Sequence, residues 1–195
     1  MDKSPIQLTK EQILEAAEET LRKFGVARTS VTDIAKALKV SQGTLYRYYK
    51  NKNELLEAAT EEWLQEKIIK PLSEISAKNS EEGFKHLRLY LQTLMELKQH
   101  YARKDGELFS MYAKVTMESS ALIEQHIGQI IGHMTSIIAA GKMKIEDPER
   151  LARSLFYATS RFHHPGHAYE WDNPAIYEEF HDIMNLFESG IHNNH

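Results

Sequence analysis

Apolar residues recur at every third or fourth position through most of the chain, the spacing that places side chains on one face of an α-helix. The first stripe consists of Ile13, Ala17, Leu21 and Phe24. Thr9 precedes this stripe as a capping residue, and Gly25 follows it as a terminator. No segment alternates apolar and polar residues over the length of a strand. The pattern predicts an all-α protein with about nine helices.

Two short helices separated by a tight turn are predicted after this first helix. Ser30 to Asp33 has the form of a capping box, and it opens a helix whose inner face is Ile34, Ala35 and Leu38. After a break at Lys39, Ser41 can cap a second short helix that runs to about Tyr48. Two short helices about a tight turn are typical of a helix-turn-helix.

Longer helices are predicted in the rest of the chain. The helix that follows the capping signal at Asn51 is expected to end before Pro71, because the residue before a proline disfavours the helical conformation. Residues 73–80 are polar and predict a connection. The last two helices are predicted at about 148–163 and 174–190, with a loop over residues 163–172.

Composition narrows the classes of protein that this chain can represent. The 195 residues include no cysteine, which excludes disulfides, zinc–cysteine sites and thiol nucleophiles. No apolar run approaches the roughly 20 residues that span a bilayer, and the first residues lack the apolar stretch of a signal peptide. We therefore expect a cytoplasmic protein that does not enter the membrane.

The net charge of −4 conceals a division of charge along the chain. Residues 1–53 contain ten basic and six acidic residues, so that this segment carries +4 and the remainder −8. Such an asymmetry favours a nucleic-acid-binding end joined to a body with another task. We predict a DNA-binding domain over residues 1–53 and a second helical domain over residues 54–195.

The second short helix carries side chains suited to DNA recognition. Gln42 can pair with adenine, Gly43 allows the backbone to approach the groove, and Thr44 offers a hydroxyl and a methyl group to base edges. Leu45 faces back onto the preceding helix. The phenols and cations suited to phosphates are those of Tyr46, Arg47, Tyr48, Lys50 and Lys52.

Residues Ser30 to Leu56, with the upstream helix that ends at Phe24 and Gly25, resemble the signature of the TetR family of bacterial transcriptional regulators. The resemblance implies three N-terminal helices for DNA and a larger helical domain for effector binding and dimerisation. It also implies a homodimer that binds a palindromic operator and is released by a small-molecule effector, with no enzymatic activity and no cofactor. An activator, or a regulator without an effector, remains an alternative within the family.

The family's functional positions can be carried over residue by residue. Its base-contacting positions fall on Thr32, Gln42, Gly43 and Thr44. Its phosphate-contacting positions fall on Ser30, Ser41, Tyr46, Tyr48 and Lys52, and Arg47 can serve either purpose. Lys39 departs from the family pattern, which often has glycine in the turn. We expect the turn to form nevertheless, with the lysine near the DNA backbone.

Signals in the C-terminal body are less specific. The broad apolar surface of the last helix predicts pairing of the last two helices across a two-fold axis, the alternative being burial within one subunit. Aromatic and methionine residues of the middle helices are the candidate effector site, although the same spacing also suits plain core. These candidates are Tyr90, Met95, Phe109, Tyr112, Met134, Phe156 and Phe162.

A histidine-rich segment supplies the main rival hypothesis. His163, His164 and His167 could bind a metal with Glu170 and Asp172, which would make the protein a metal-dependent helical enzyme. Adjacent histidines usually point apart, however, and a loop does not fix their geometry. We therefore favour histidines that form local hydrogen bonds, and we predict no metal site.

Overall fold

The computed structural model describes residues 8–78, 83–141 and 145–193, and these ranges contain helices and connections but no strand. The all-α prediction is confirmed, with ten α-helices in the described ranges where about nine were expected. They are α1 (Lys10–Phe24), α2 (Val31–Ala37), α3 (Gln42–Tyr46), α4 (Lys52–Leu64), α5 (Lys70–Ser76), α6 (Gly83–Lys104), α7 (Gly106–Glu118), α8 (Ser120–Ala140), α9 (Pro148–Ala158) and α10 (Ile176–Asn193).

The expectation that a helix ends before Pro71 is wrong. A π-helical turn over Gln65–Ile69 joins α4 to α5, and Pro71 lies in the first turn of α5. The N–H of Lys70 donates to the carbonyl oxygen of Gln65, five residues back, so the wider turn places the proline where its missing N–H is tolerated. The expected connection over 73–80 consequently begins only after Ser76.

The expected loop over residues 163–172 is also more ordered than the sequence suggested. Two 3-10 helices cover Ser160–Phe162 and Pro165–Glu170. Trp171 is buried, and its indole N–H donates to the carbonyl oxygen of Arg161 at 2.9 Å. Trp171, which the helical periodicity does not predict to be buried, therefore anchors this segment.

The chain divides into two compact units. The first comprises Met1–Trp63 with Asp105–Leu122, and the second comprises Leu64–Lys104 with Ile123–His195. The first unit thus includes α7, which lies far along the sequence from α1 to α4. The predicted boundary at residue 53 concerns function rather than packing, and it stays a prediction.

The first unit is built on buried side chains of its short helices. Ile13, Leu21, Ile34 and Leu45 are almost completely buried, and α2 packs against both α1 and α3. α7 packs against α1, where Arg22 Nε lies 2.9 Å from Asp105 Oδ2. The three helices expected at the DNA-binding end are therefore supported by a fourth.

The second unit has a larger apolar core. Leu87, Leu91 and Leu94 of α6 are buried, as are Met134 of α8 and Phe180 of α10. Among the described residues, no helix is long and apolar enough to cross a membrane.

Candidate nucleic-acid interface

The α3 helix is anchored on one side and exposed on the other. Leu45 is 1% exposed and belongs to the core that α3 shares with α2. Gln42, Gly43, Tyr46 and Arg47 are exposed on the remaining surface. One apolar anchor thus leaves most of a short helix available to a groove of DNA.

Hydrogen bonds within α3 orient these polar side chains. The Ser41 hydroxyl accepts the N–H of Thr44 at 3.2 Å as the helix cap, and its oxygen lies 2.9 Å from Thr44 Oγ1. The Gln42 amide donates to the Tyr46 phenol at 3.0 Å. Two of the predicted base-contacting side chains, Gln42 and Thr44, are therefore oriented by hydrogen bonds within the protein itself.

The turn between α2 and α3 forms despite its lysine, as expected. Lys39 adopts a φ of 56°, and its N–H donates to Lys36 while Val40 donates to Ala35. This left-handed conformation is unfavourable for a residue with a Cβ, whereas a glycine in the turn would adopt it without that steric cost. Lys39 is exposed, so its ammonium group is available to a phosphate.

At the start of α2, the predicted capping box is present. The Ser30 hydroxyl donates to Asp33 Oδ2 at 2.5 Å and accepts the N–H of Asp33 at 3.2 Å. The Ser30 hydroxyl and the Ser30 backbone N–H, which donates to the same carboxylate oxygen at 3.0 Å, lower the pKa of Asp33 below its ordinary value, because both bonds favour the carboxylate. Thr32 lies half-buried in the first turn of α2. Ser30 and Thr32 thus lie beside a fixed helix N-terminus, a geometry suited to a phosphate.

Two predicted phosphate contacts are tied to the protein itself. The Tyr48 phenol donates to the carbonyl oxygen of Leu8, and the Lys52 ammonium donates to that of Val26 at 2.8 Å. Burial lowers the pKa of Lys52, and the nearby charge of Lys114 lowers it further. Lys52 retains two other N–H groups for a phosphate, whereas Tyr48 would have to release its only proton donor.

Exposed cations surround this surface. Arg28, Lys36, Arg47 and Lys50 are exposed in the same unit as α3. Their charge supplies the sequence-independent attraction that holds a protein on a phosphate backbone.

The predicted effector residues are divided between the two units. Phe109 and Tyr112 belong to the first unit, where Tyr112 stacks on Trp63 at a ring-centroid distance of 5.6 Å. The others belong to the second unit and are buried: Tyr90, Met95, Met134, Phe156 and Phe162. Tyr90 Oη lies 3.0 Å from His133 Nδ1, so the phenol of this buried residue has a polar neighbour.

The histidine-rich segment forms local hydrogen bonds. His163 is buried beside the carbonyl oxygen of Phe156, and His164 Nδ1 accepts the N–H of Gly166 at 3.1 Å. His167 lies 2.9 Å from Glu170, and this contact, with that of Arg161, lowers the pKa of Glu170 to about 2. Within the described ranges, no group of three or more His, Asp or Glu residues is arranged to hold a metal.

Sequence reasoning missed a buried polar group in the second unit. Lys98 and Gln99 of α6 and His126 of α8 are almost completely buried. The signal was present, because Lys98 continues the apolar stripe of α6 at four residues beyond Leu94.

Comparison with known families gives two matches that together cover both parts of the chain. The model described as "Bacterial regulatory proteins, tetR family" matches residues 13–59. The model described as "Tetracyclin repressor-like, C-terminal domain" matches residues 84–184, more than half of the chain. Both descriptions are of transcriptional regulators rather than enzymes.

Individual relatives agree with these matches. The HTH-type transcriptional regulator TtgR of Pseudomonas putida is 46% identical over 56 residues, 29% of this chain and 27% of that protein. This match therefore spans only about a quarter of TtgR.

Solved structures resemble a much larger part of the chain. Thermus thermophilus FadR, described as a transcriptional repressor in complex with lauroyl-CoA, aligns with a TM-score of 0.61 at 22% identity over 91% of this chain and 92% of that chain. BioQ with its double-stranded DNA operator aligns with a TM-score of 0.56 at 20% identity over 95% of this chain and 98% of that chain. At these identities the likeness shows the fold.

Proposed function

The chain belongs to the TetR family of bacterial transcriptional regulators, and from this premise we propose that it is a repressor released by a small molecule. It binds a palindromic operator as a homodimer, with α3 of each copy in the major groove. Its DNA target places it in the cytoplasm. The matched families contain transcriptional regulators, which leaves the rival hypothesis of a metal-dependent enzyme without support.

The observation that carries this proposal is the polar face of α3. Gln42, Gly43 and Thr44 follow one another at the start of this helix, and buried Leu45 fixes their orientation. The bonds of Ser41 to Thr44 and of Gln42 to Tyr46 reduce the side-chain entropy lost on binding. We assign base contacts to Thr32, Gln42, Gly43 and Thr44, and phosphate contacts to Ser30, Ser41, Tyr46, Tyr48 and Lys52, with Arg47 in either role.

Exposed apolar side chains on the last two helices support dimerisation. Tyr157 of α9 is 54% exposed and Leu186 of α10 is 73% exposed. Tyr177, in the first turn of α10, is also exposed. A second copy that packs against α9 and α10 would remove these groups from water, and a two-fold operator needs two reading helices.

Release by an effector requires that the second unit act on the first. The chain passes between the units after Trp63, after Lys104 and after Leu122. The first passage lies beside the π-helical turn, which is a type of irregularity often found at functional positions in helices. We propose that an effector held near Tyr90, Met95, Met134, Phe156 and Phe162 shifts α4 and thereby the spacing of the two α3 helices.

Substitution of a base-contacting and a phosphate-contacting residue should have different effects. Thr44→Ala is expected to lower operator affinity while leaving affinity for random DNA unchanged, because the loss concerns base readout. Lys52→Ala is expected to weaken both and to reduce the slope of log affinity against log salt by about one. Fluorescence anisotropy titrations at several salt concentrations measure the affinity for operator and for random DNA and give the salt slope. Equal effects of the two substitutions on both DNAs would contradict the proposed role of α3.

A further inference from the structure

Four buried polar side chains lie together in the core of the second unit. Lys98 Nζ is 3.3 Å from His126 Nε2, and Lys98 is only 2% exposed. Gln99 Nε2 donates to the carbonyl oxygen of Phe162 at 3.3 Å, and His163 follows Phe162 in the chain. We call Lys98, Gln99, His126 and His163 the basic cluster.

The geometry fixes where protons lie in the basic cluster. The Lys98 ammonium has N–H donors only, so beside it His126 Nε2 accepts and the proton of neutral His126 lies on Nδ1. The nitrogen and oxygen of the Gln99 side-chain amide cannot exchange positions, because the oxygen would then face the carbonyl oxygen of Phe162. Among the described residues, His126 Nδ1 and Gln99 Oε1 have no hydrogen-bond partner.

Unsatisfied buried polar atoms of this kind are rare and costly, and each calls for a partner such as a water molecule, an ion or a ligand. In the basic cluster the unpaired donor, His126 Nδ1–H, lies on the same ring as the nitrogen beside Lys98. An incoming group can therefore find an imidazole N–H donor and the charge of Lys98 in one region of the core.

The electrostatics of the basic cluster favour an anion. Burial and the charge of Lys98 lower the pKa of His163 to about 3, and the same causes lower the pKa of His126. Burial also lowers the pKa of Lys98 itself. The charge of Lys98 therefore opposes protonation of both histidines, and a negative charge nearby would offset this repulsion and the cost of burying the ammonium.

Apolar surface adjoins the basic cluster. The Phe156 ring lies 4.8 Å from the His163 ring, centroid to centroid, and Phe162 is fully buried next to His163 in the chain. Both phenylalanines are among the predicted effector residues. Met95, another of these residues, lies one helical turn before Lys98 and Gln99 on α6. The arrangement provides a polar end and an apolar wall, as ligand sites commonly do.

We propose that the basic cluster binds the carboxylate of a hydrophobic organic acid, and that this acid is the effector class of the protein. The inference rests on the proposed function of the second unit. The carboxylate accepts from His126 Nδ1–H, while Lys98, which donates to Nε2 on the opposite edge of the same imidazole, holds the tautomer that presents this N–H and supplies the positive charge. The acyl chain lies along Phe156 and Phe162. Gln99 Oε1 accepts from a hydroxyl group of the acid or from a water molecule carried in with it.

A carboxylate fits this chemistry better than a neutral head group or a coenzyme A thioester. A neutral ester or alcohol satisfies His126 but leaves the repulsion among the basic groups in place. A thioester likewise brings an uncharged carbonyl to the end of its acyl chain. The negative charge of a carboxylate complements the Lys98 ammonium, and one of its oxygens accepts from the imidazole N–H.

The test compares matched ligands on the full-length protein by isothermal titration calorimetry, without DNA. Decanoate, methyl decanoate, decanol and lauroyl-CoA are titrated into the wild type and into Lys98→Met, His126→Phe and the control Lys70→Met. Lys70 belongs to the same unit and is an exposed lysine paired with Glu66, so its loss should change little. Lys98→Met preserves bulk and removes a buried charge, so we expect it to fold.

Decanoate is expected to bind the wild type and Lys70→Met alike, and at least tenfold more tightly than methyl decanoate or decanol. Lys98→Met and His126→Phe should each weaken decanoate binding by roughly 10- to 100-fold, the loss typical of a hydrogen bond to a charged group. Lys98→Met should change the affinity for methyl decanoate by less than about twofold, whereas His126→Phe should weaken both ligands, because the ester carbonyl also accepts from Nδ1–H.

Several outcomes would overturn the inference. These are equal binding of acid and ester, preference for lauroyl-CoA, or decanoate binding that survives both substitutions. Because DNA is absent, the result is independent of operator binding. A wild type that binds operator and is released by neutral ligands alone would refute the basic cluster's role and retain the proposed function. A wild type that binds decanoate through Lys98 but no operator would refute the proposed function instead.

Discussion

Gly43→Leu is expected to lower operator affinity by at least roughly 100-fold while the folded protein becomes no less stable. A Cβ at Gly43 would meet only Ser41 Oγ, 3.8 Å away, so the free protein has room for a side chain. Glycine is also unfavourable within a helix by up to about 1 kcal/mol, which leucine recovers. On DNA, the same side chain would separate the α3 backbone from the base edges and remove contacts on both sides of Gly43.

Gly128→Leu is the matched control for this substitution. Gly128 lies on α8 in the second unit, and a Cβ there has no neighbour within 4 Å. Both variants should therefore show equal or higher melting temperatures by circular dichroism, and only Gly43→Leu should lose operator binding by fluorescence anisotropy. Operator affinity retained by a folded Gly43→Leu protein would show that the α3 backbone does not approach the groove.

Leu186→Glu is expected to dissociate the dimer and, as a consequence, to lower operator affinity by more than roughly tenfold. Leu186 is 73% exposed within one chain, so a carboxylate there leaves the subunit's own core intact. Between two copies, however, the substitution would bury two charges near a two-fold axis without partners. Sedimentation velocity measures the loss of the dimer, and anisotropy measures the accompanying loss of affinity.

Met117→Glu provides the comparison for Leu186→Glu. Met117 is 82% exposed on α7, in the first unit, and the proposal gives it no part in dimerisation. This variant should sediment as a dimer and bind operator as the wild type does. A Leu186→Glu protein that remains dimeric at micromolar concentration would exclude the exposed face of α10 from the interface.

Local features of the fold could be predicted because neighbouring residues determine them. Thr9 caps α1, and Ser30 and Asp33 form the capping box of α2, as the sequence indicated. Leu45 is buried, as expected for the one strongly apolar residue of α3. Each of these outcomes depends on side-chain chemistry within a few residues, and so the helix-turn-helix was readable from its sequence.

Features that depend on distant packing could not be predicted in the same way. Pro71 was expected to end a helix, but a π-helical turn accommodates it within a continuous helical path. The spacing groups Phe109 and Tyr112 with the candidate effector residues, but Tyr112 stacks on Trp63 and Phe109 packs edge-on against Tyr112 in the first unit; their part in effector binding stays a prediction. Lys98 follows the apolar spacing of α6, but because lysine is rarely buried, the sequence alone does not place it in the core.

The most direct test of the central claim is selection of DNA by the full-length protein from a pool of randomised duplexes. The account predicts enrichment of an inverted repeat whose half-sites lie about one helical turn apart, or a multiple of it, and which binds two copies of the chain. It also predicts that Thr44→Ala enriches a pool with weakened preference at specific base positions. Failure of the wild type to enrich any sequence at low salt would contradict the claim that α3 reads DNA.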